Sequence, residues 1–134
     1  MDEDQRKYFE FIQNAIIRMN SNSFSIKEWA VTISSATIGI SISTSKFEFL
    51  LIGVFSSVIF WFLDSFYLQM EKKYRDLYKD AIEGKIIIPY DMDASRYLKG
   101  FSKYLCVVFS KTICPLYFSI ILVLMVSYIF YIIK

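Results

Sequence analysis

The chain has 134 residues, enough for one domain and too few for two ordinary ones. Apolar residues make up 55% of it, a high fraction for a water-soluble domain, and a net charge of +2 leaves no electrostatic footprint for nucleic acid. Histidine is absent, and Cys106 and Cys114 do not have zinc-ligand spacing, so the commonest general base and the usual metal sites are both missing.

The first predicted element is an amphipathic helix within residues 1–24. Charged side chains occupy one side of this helix. The apolar side chains recur at helical spacing on the other side: Tyr8, Phe9, Ile12, Ala15, Ile16 and Met19. Two interpretations remain open, packing on the protein's own cytosolic part or lying in the membrane interface. The polar residues 20–23 predict a break, and Ser25 with Glu28 forms a capping box that predicts a new helix start.

Two predicted membrane spans follow, at residues 26–44 and 47–68. Each is long enough to cross a hydrocarbon layer of about 30 Å. The link at Thr44–Lys46 is so short that the two spans must form an antiparallel hairpin. No helix breaker follows Leu68, so we expect the second helix to continue into water as far as Gly84, a good residue for a helix C-terminus.

A cytosolic helical segment is predicted over residues 69–109, interrupted by an extended connector at 85–90 because Pro89 disfavours helix in the residue before it. Asp91 or Asp93 is expected to cap a further helix that ends near Phe109. The third span is predicted at 113–133, and the alternative is one kinked helix over 94–133. The predicted fold class is all-α: a polytopic membrane protein of about three transmembrane helices, forming a single domain over 1–134.

The distribution of positive charge predicts the orientation. Residues 1–28 carry four Lys or Arg and residues 70–104 carry eight, whereas the hairpin turn has only Lys46 and the final segment only Lys134. The positive-inside rule therefore predicts a multi-pass membrane protein with a cytoplasmic N-terminus and the C-terminus outside.

The first span is unusually polar, which makes its small residues candidates for function. Ser35, Gly39 and Ser43 repeat at spacing four, a small-xxx-small pattern that favours close helix contact, and Thr32 lies beside them. Gly53 and Ser57 offer a matching small pair on the second span. The pattern fits tight packing, within the hairpin or between copies, or a polar stripe that lines water in an oligomer.

Asp64 is the most informative single residue, because a carboxylate within an apolar frame is costly unless it has a partner. Lys27, Arg18 and Lys111 are expected at similar depth. Asp64 is therefore in a structural ion pair or a cap-like contact with residues 20–25, or it is a gate or intersubunit contact; Lys27, Lys111 and Arg18 are its candidate cations.

Catalytic motifs are absent: the chain has no G-x-S-x-G, P-loop, HExxH or Rossmann pattern. Helix capping accounts for Asp91 and Asp93. We therefore expect no enzymatic activity, no cofactor and no metal. The expected partners are the lipid bilayer, further copies of the chain and a cytosolic protein, with no nucleic acid.

The segment Asn20–Trp29, the short hairpin, and Phe60–Asp64 running into Glu71–Tyr78 together resemble small bacterial membrane proteins of the SLATT type, over residues 5–83. The resemblance implies an effector of anti-phage defence that assembles in the membrane and permeabilises it, triggered by a nucleotide signal or a partner protein. The third span departs from the family's two-span pattern. Two functions are predicted. The first is an oligomeric pore-forming effector; the alternative, suggested by the charged segments 69–83 and 85–104, is a non-pore accessory subunit that recruits or regulates a cytosolic partner.

Overall fold

The computed structural model describes all 134 residues. It contains four helices and no strand: α1 (Glu3–Thr44), α2 (Glu48–Ile82), α3 (Phe101–Val108) and α4 (Cys114–Ile133). The predicted all-α fold class is confirmed.

α1 is one unbroken helix of 42 residues, about 63 Å long. It begins with a capping box between Asp2 and Gln5 and ends at Ser45, whose φ of 54° is left-handed. The predicted break at residues 20–23 and the predicted helix start at Ser25 are therefore wrong. Ser23 is a poor helix former in isolation, but its hydroxyl bonds a buried carboxylate of α2, and such tertiary contacts override weak local propensity.

α2 follows its prediction closely. It begins one residue after Phe47, continues well past Leu68 and is followed by Gly84, whose φ of 69° suits the residue after a helix end. The N-terminal part of α1 packs its apolar side against the far part of α2, around a core of Tyr8, Ile12, Leu77 and Ala94. The amphipathic N-terminal segment thus packs on the protein itself.

Residues 83–100 form turns and extended chain rather than the helix expected from Asp91 or Asp93. The side-chain oxygen of Asp91 accepts the N–H of Asp93, and that of Asp93 accepts the N–H of Ser95, both at 2.8–2.9 Å. Each aspartate therefore closes a local turn instead of capping a helix. α3 begins only after Gly100, whose φ of 99° is incompatible with a helix.

α3 and α4 are two helices separated by a bend at residues 109–113, so the alternative of one continuous helix over 94–133 is wrong. Pro115 falls in the first turn of α4, where a missing N–H costs little. α4 runs antiparallel to α2: Tyr117 contacts Asp64, and near the other end of both helices the ring of Tyr131 stacks on that of Phe47.

Two helices, α2 and α4, are long and apolar enough to cross a membrane. Only 28% and 11% of their most apolar stretches are buried within the chain. An apolar core helix of a soluble protein would be mostly covered, so the exposed apolar surface favours lipid as the surrounding medium. α1 does not join this pair because serine and threonine lower the apolar character of its second half.

Candidate functional site

Contacts between α1 and α2 show which residues of the two helices lie side by side. Ser34 Oγ lies 3.1 Å from Ser57 Oγ, and a Cβ added at Gly53 would come within 2.5 Å of Thr37 Oγ1. The absence of a side chain at Gly53 is therefore what lets the helices approach so closely. Residues 27–44 of α1 consequently run alongside the apolar half of α2, the part that could span a membrane.

A polar network joins three helices around Asp64, which is completely buried. Lys27 Nζ of α1 lies 2.8 Å from one carboxylate oxygen and 3.0 Å from the other. The Ser23 hydroxyl, also from α1, donates to the carboxylate, and the Tyr117 hydroxyl of α4 donates at 3.0 Å. Lys27 also donates to Ser23 at 2.9 Å.

The network compensates the cost of burying a charge. A carboxylate removed from water is tolerated only when an opposite charge and hydrogen-bond donors replace its hydration. Asp64 has one cation and two hydroxyl donors, and the Lys27 side chain keeps 24% of its surface exposed, enough for the ammonium to retain some contact with the outside. The arrangement fits the structural ion pair considered for Asp64.

Aromatic packing surrounds this network. The Trp61 ring lies parallel to that of Tyr117, with an interplanar angle of 3° and centroids 6.2 Å apart. Trp61 Nε1 donates to the Val108 carbonyl at 2.9 Å, so the same residue ties the end of α3 to α2. Tyr117 is fully buried beside Trp61, and its hydroxyl bonds Asp64.

The other two cations considered for Asp64 lie elsewhere. Lys111 and Arg18 are both exposed, and neither forms a salt bridge with Asp64. The expected contact of Asp64 with residues 20–25 is made by Ser23, although within a continuous helix rather than a loop, whereas sequence reasoning missed Tyr117. Ser23 precedes Lys27 by four residues, so the two side chains share one helix face when α1 is continuous across residues 20–25.

The predicted small-residue face of α1 is not the face that packs on α2. The packed face consists of Ala30, Ser34, Thr37 and Ser41, all buried. Gly53 and Ser57 meet this face, so the expected match with Ser35, Gly39 and Ser43 is wrong. These three residues and Thr32 are exposed instead, and nothing lies within 4 Å of a Cβ built at Gly39.

A groove lies near the N-terminus, at the end of the α1–α2 hairpin that is far from its turn. It has a volume of about 420 Å³ and is lined by Asp4, Lys7, Tyr8, Phe11, Tyr90 and Met92. The Tyr8 hydroxyl donates to the Asp91 carbonyl at 2.5 Å, which holds the 90–92 turn against α1. Burial, followed by the nearby charge of Asp91, raises the pKa of Tyr8.

Residues of the 91–98 turn are also held by specific contacts. Hydrogen bonds from Ser95 lower the pKa of Asp93, and Asp91 pairs with Arg96 at 2.8 Å. The Tyr97 hydroxyl donates to Asp80 at 2.7 Å, and burial together with this bond raises the pKa of Tyr97 to about 12. No group of three or more Cys, Asp or Glu side chains is placed to hold a metal ion.

No protein-family model, curated protein or solved structure matches this chain.

Proposed function

We propose that this chain is a three-span protein of the bacterial inner membrane that assembles into a homo-oligomeric pore and permeabilises the membrane in anti-phage defence. The N-terminus and residues 69–109 face the cytoplasm, and the C-terminus lies outside. The observation that carries this proposal is the uncovered stripe of Thr32, Ser35, Gly39 and Ser43 on α1.

The depth of the stripe is the first support. Ser34 and Thr37, its neighbours on the packed face, sit beside Ser57 and Gly53 in the apolar half of α2. The stripe therefore lies at the level of hydrocarbon once α2 crosses a bilayer. Hydroxyl groups facing lipid gain nothing there, whereas another helix or water can contact them favourably.

The chemistry of the stripe is the second support. The Thr32 hydroxyl donates to the Glu28 carbonyl and the Ser35 hydroxyl to the Val31 carbonyl, both at 2.8 Å. The donors are thus satisfied within α1 and the oxygen lone pairs remain available to water. With open space at Gly39, α1 of a second copy can approach closely, and a ring of such faces would enclose a polar path.

Reconstitution in liposomes loaded with a fluorescent dye tests the proposal. We expect the assembled wild-type chain to release the dye and Gly39→Leu to slow release at least about tenfold, because a bulky residue blocks close helix approach. Val126→Leu, on an exposed part of α4, is the matched control and should behave as wild type. An assembled wild-type protein that never leaks, or an equally leaky Gly39→Leu, contradicts the proposal.

A second candidate function, a non-pore subunit that binds a cytosolic partner, is favoured by the groove around Phe11 and Tyr90. Both side chains are largely exposed beside charged residues, which suits a protein partner. Expression of the chain alone separates the two functions. Membrane depolarisation by the chain alone contradicts the accessory function. That function also requires that Phe11→Ser abolish co-purification with the product of a neighbouring gene.

A further inference from the structure

The segment around α3 is basic and free of acidic residues. From Ala94 to Lys134 the chain contains no Asp or Glu, while Arg96, Lys99, Lys103 and Lys111 all fall within its first 18 residues. Arg96 pairs with Asp91, but the three lysines are exposed and none lies within salt-bridge distance of a carboxylate. Lys99 lies near enough to Asp93 to help lower the pKa of that carboxyl, but none of the three lysines is in a salt bridge, so the surface carries a net positive charge.

The position of α3 in the fold gives these charges a defined depth. Gln69 of α2 donates to the Leu98 carbonyl just before α3, and Tyr104 of α3 donates to the Phe62 carbonyl at 2.7 Å. At the far end of α3, Trp61 bonds the Val108 carbonyl. α3 thus runs beside residues 61–69 of α2, where the apolar half of that helix changes to its charged half.

Exposed aromatic side chains flank the lysines. Phe101 and Phe109, at the two ends of α3, are 73% and 66% exposed. Phe62 and Phe66, in the part of α2 beside α3, are also exposed. α3 covers roughly 12 Å along α2, and aromatic rings beside lysines over such a distance are typical of a membrane–water interface, where rings enter the acyl boundary and ammonium groups reach headgroups.

We propose that this surface, formed by Lys99, Lys103, Lys111, Phe101 and Phe109, binds the headgroups of anionic phospholipids in the cytoplasmic leaflet. Charge complementarity selects the lipid class: three unpaired ammonium groups attract a phosphodiester that carries a net negative charge, and gain less from a zwitterionic headgroup. This binding requires that α2 and α4 lie in the membrane but does not require a pore, so it can hold or fail independently of permeabilisation.

Lipid retention by the full-length chain in detergent, measured by native mass spectrometry, tests the proposal. The probes are phosphatidylglycerol and phosphatidylcholine with identical acyl chains. The test variant is Lys99→Gln/Lys103→Gln/Lys111→Gln. Its matched control is Lys72→Gln/Lys73→Gln/Lys79→Gln, which removes equal charge from the α2 extension among Glu71, Asp76 and Asp80.

We expect the wild type to retain phosphatidylglycerol in preference to phosphatidylcholine. Each lysine at an anionic surface strengthens association roughly fivefold, so the test variant should lose affinity by on the order of a hundredfold while the control retains it. Equal retention of the two lipids, unchanged retention by the test variant, or an equal loss in the control would overturn the proposal.

A second measurement does not depend on substituting the lysines. Cys106 is exposed on α3, so a Cys114→Ser variant can carry one fluorophore there. In nanodiscs containing phosphatidylglycerol, lipids with a nitroxide in the headgroup region should quench this fluorophore more than soluble nitroxide does. The opposite order would place α3 away from the headgroups and overturn the proposal.

Discussion

At the scale of single residues, Asp64 shows how one carboxylate can connect three helices. Its contacts come from Lys27 and Ser23 of α1 and from Tyr117 of α4, so it links the hairpin to the final helix. A carboxylate offers about four acceptor positions, which is why a single side chain can serve several partners. Loss of the carboxylate should therefore loosen α4 as well as α1.

We predict that Asp64→Leu lowers the free energy of unfolding by about 3 kcal/mol, because Lys27 is left without its counter-charge. The double variant Asp64→Leu/Lys27→Met should recover at least about 1 kcal/mol of that loss. Chemical unfolding in detergent micelles, followed by circular dichroism, measures both values. Additive effects of the two substitutions would show that the pair is not coupled.

Tyr97 carries a pH-dependent contribution to stability. Its pKa is raised from 10.0 to about 12 in the folded chain, mainly by burial and then by the bond to Asp80. The neutral phenol is therefore favoured by folding, and its contribution is complete below pH 10 and is lost as the pH rises toward 12. We predict that stability falls more steeply between about pH 9.5 and pH 11.5 in the wild type than in Tyr97→Phe, as measured by thermal unfolding in detergent. Parallel pH profiles for the two proteins would contradict this prediction.

At the scale of helices, two glycines within the apolar level have opposite surroundings. A Cβ at Gly53 would meet Thr37 Oγ1 at 2.5 Å and Leu124 at 3.3 Å, whereas one at Gly39 meets nothing within 4 Å. We predict that Gly53→Ala destabilises the chain by about 1–3 kcal/mol through overpacking.

Gly39→Ala should stabilise the monomer by up to about 1 kcal/mol, since alanine is the better helix former. Unfolding of both variants, measured side by side in detergent, checks the pair; equal effects would contradict it.

Helix boundaries show what the sequence could and could not predict. The end of α1 at Thr44, the extension of α2 past Leu68 and the start of α4 near Pro115 follow from local turn chemistry and unbroken periodicity. Continuity of α1 through residues 20–25 depends instead on Ser23 reaching Asp64, a contact 41 positions away. The face of α1 that packs on α2 was likewise unpredictable, because small residues occupy two faces of α1. Only the tertiary contact of Thr37 with Gly53 shows which face is packed.

At the scale of the whole molecule, the chain is a long hairpin with α4 laid along its apolar half and an aromatic core at its charged end. The partner of Asp64 could be narrowed to three cations from sequence, but the choice of Lys27 needed the register between α1 and α2. Tyr117 joins the network only because α3 and the bend at 109–113 return the chain to the level of Asp64. The local sequence around Tyr117 does not predict that its side chain will lie beside Asp64.

The unbroken course of α1 has a mechanical consequence. The groove near Phe11 and the stripe at Gly39 lie about 42 Å apart on one helix that has no break between them. Anything that shifts the N-terminal end sideways must tilt or rotate the far end as well, since the intervening backbone bonds resist bending. Between the two ends, Ser23 and Lys27 hold α1 to Asp64, so any tilt of α1 would have to pivot near these contacts.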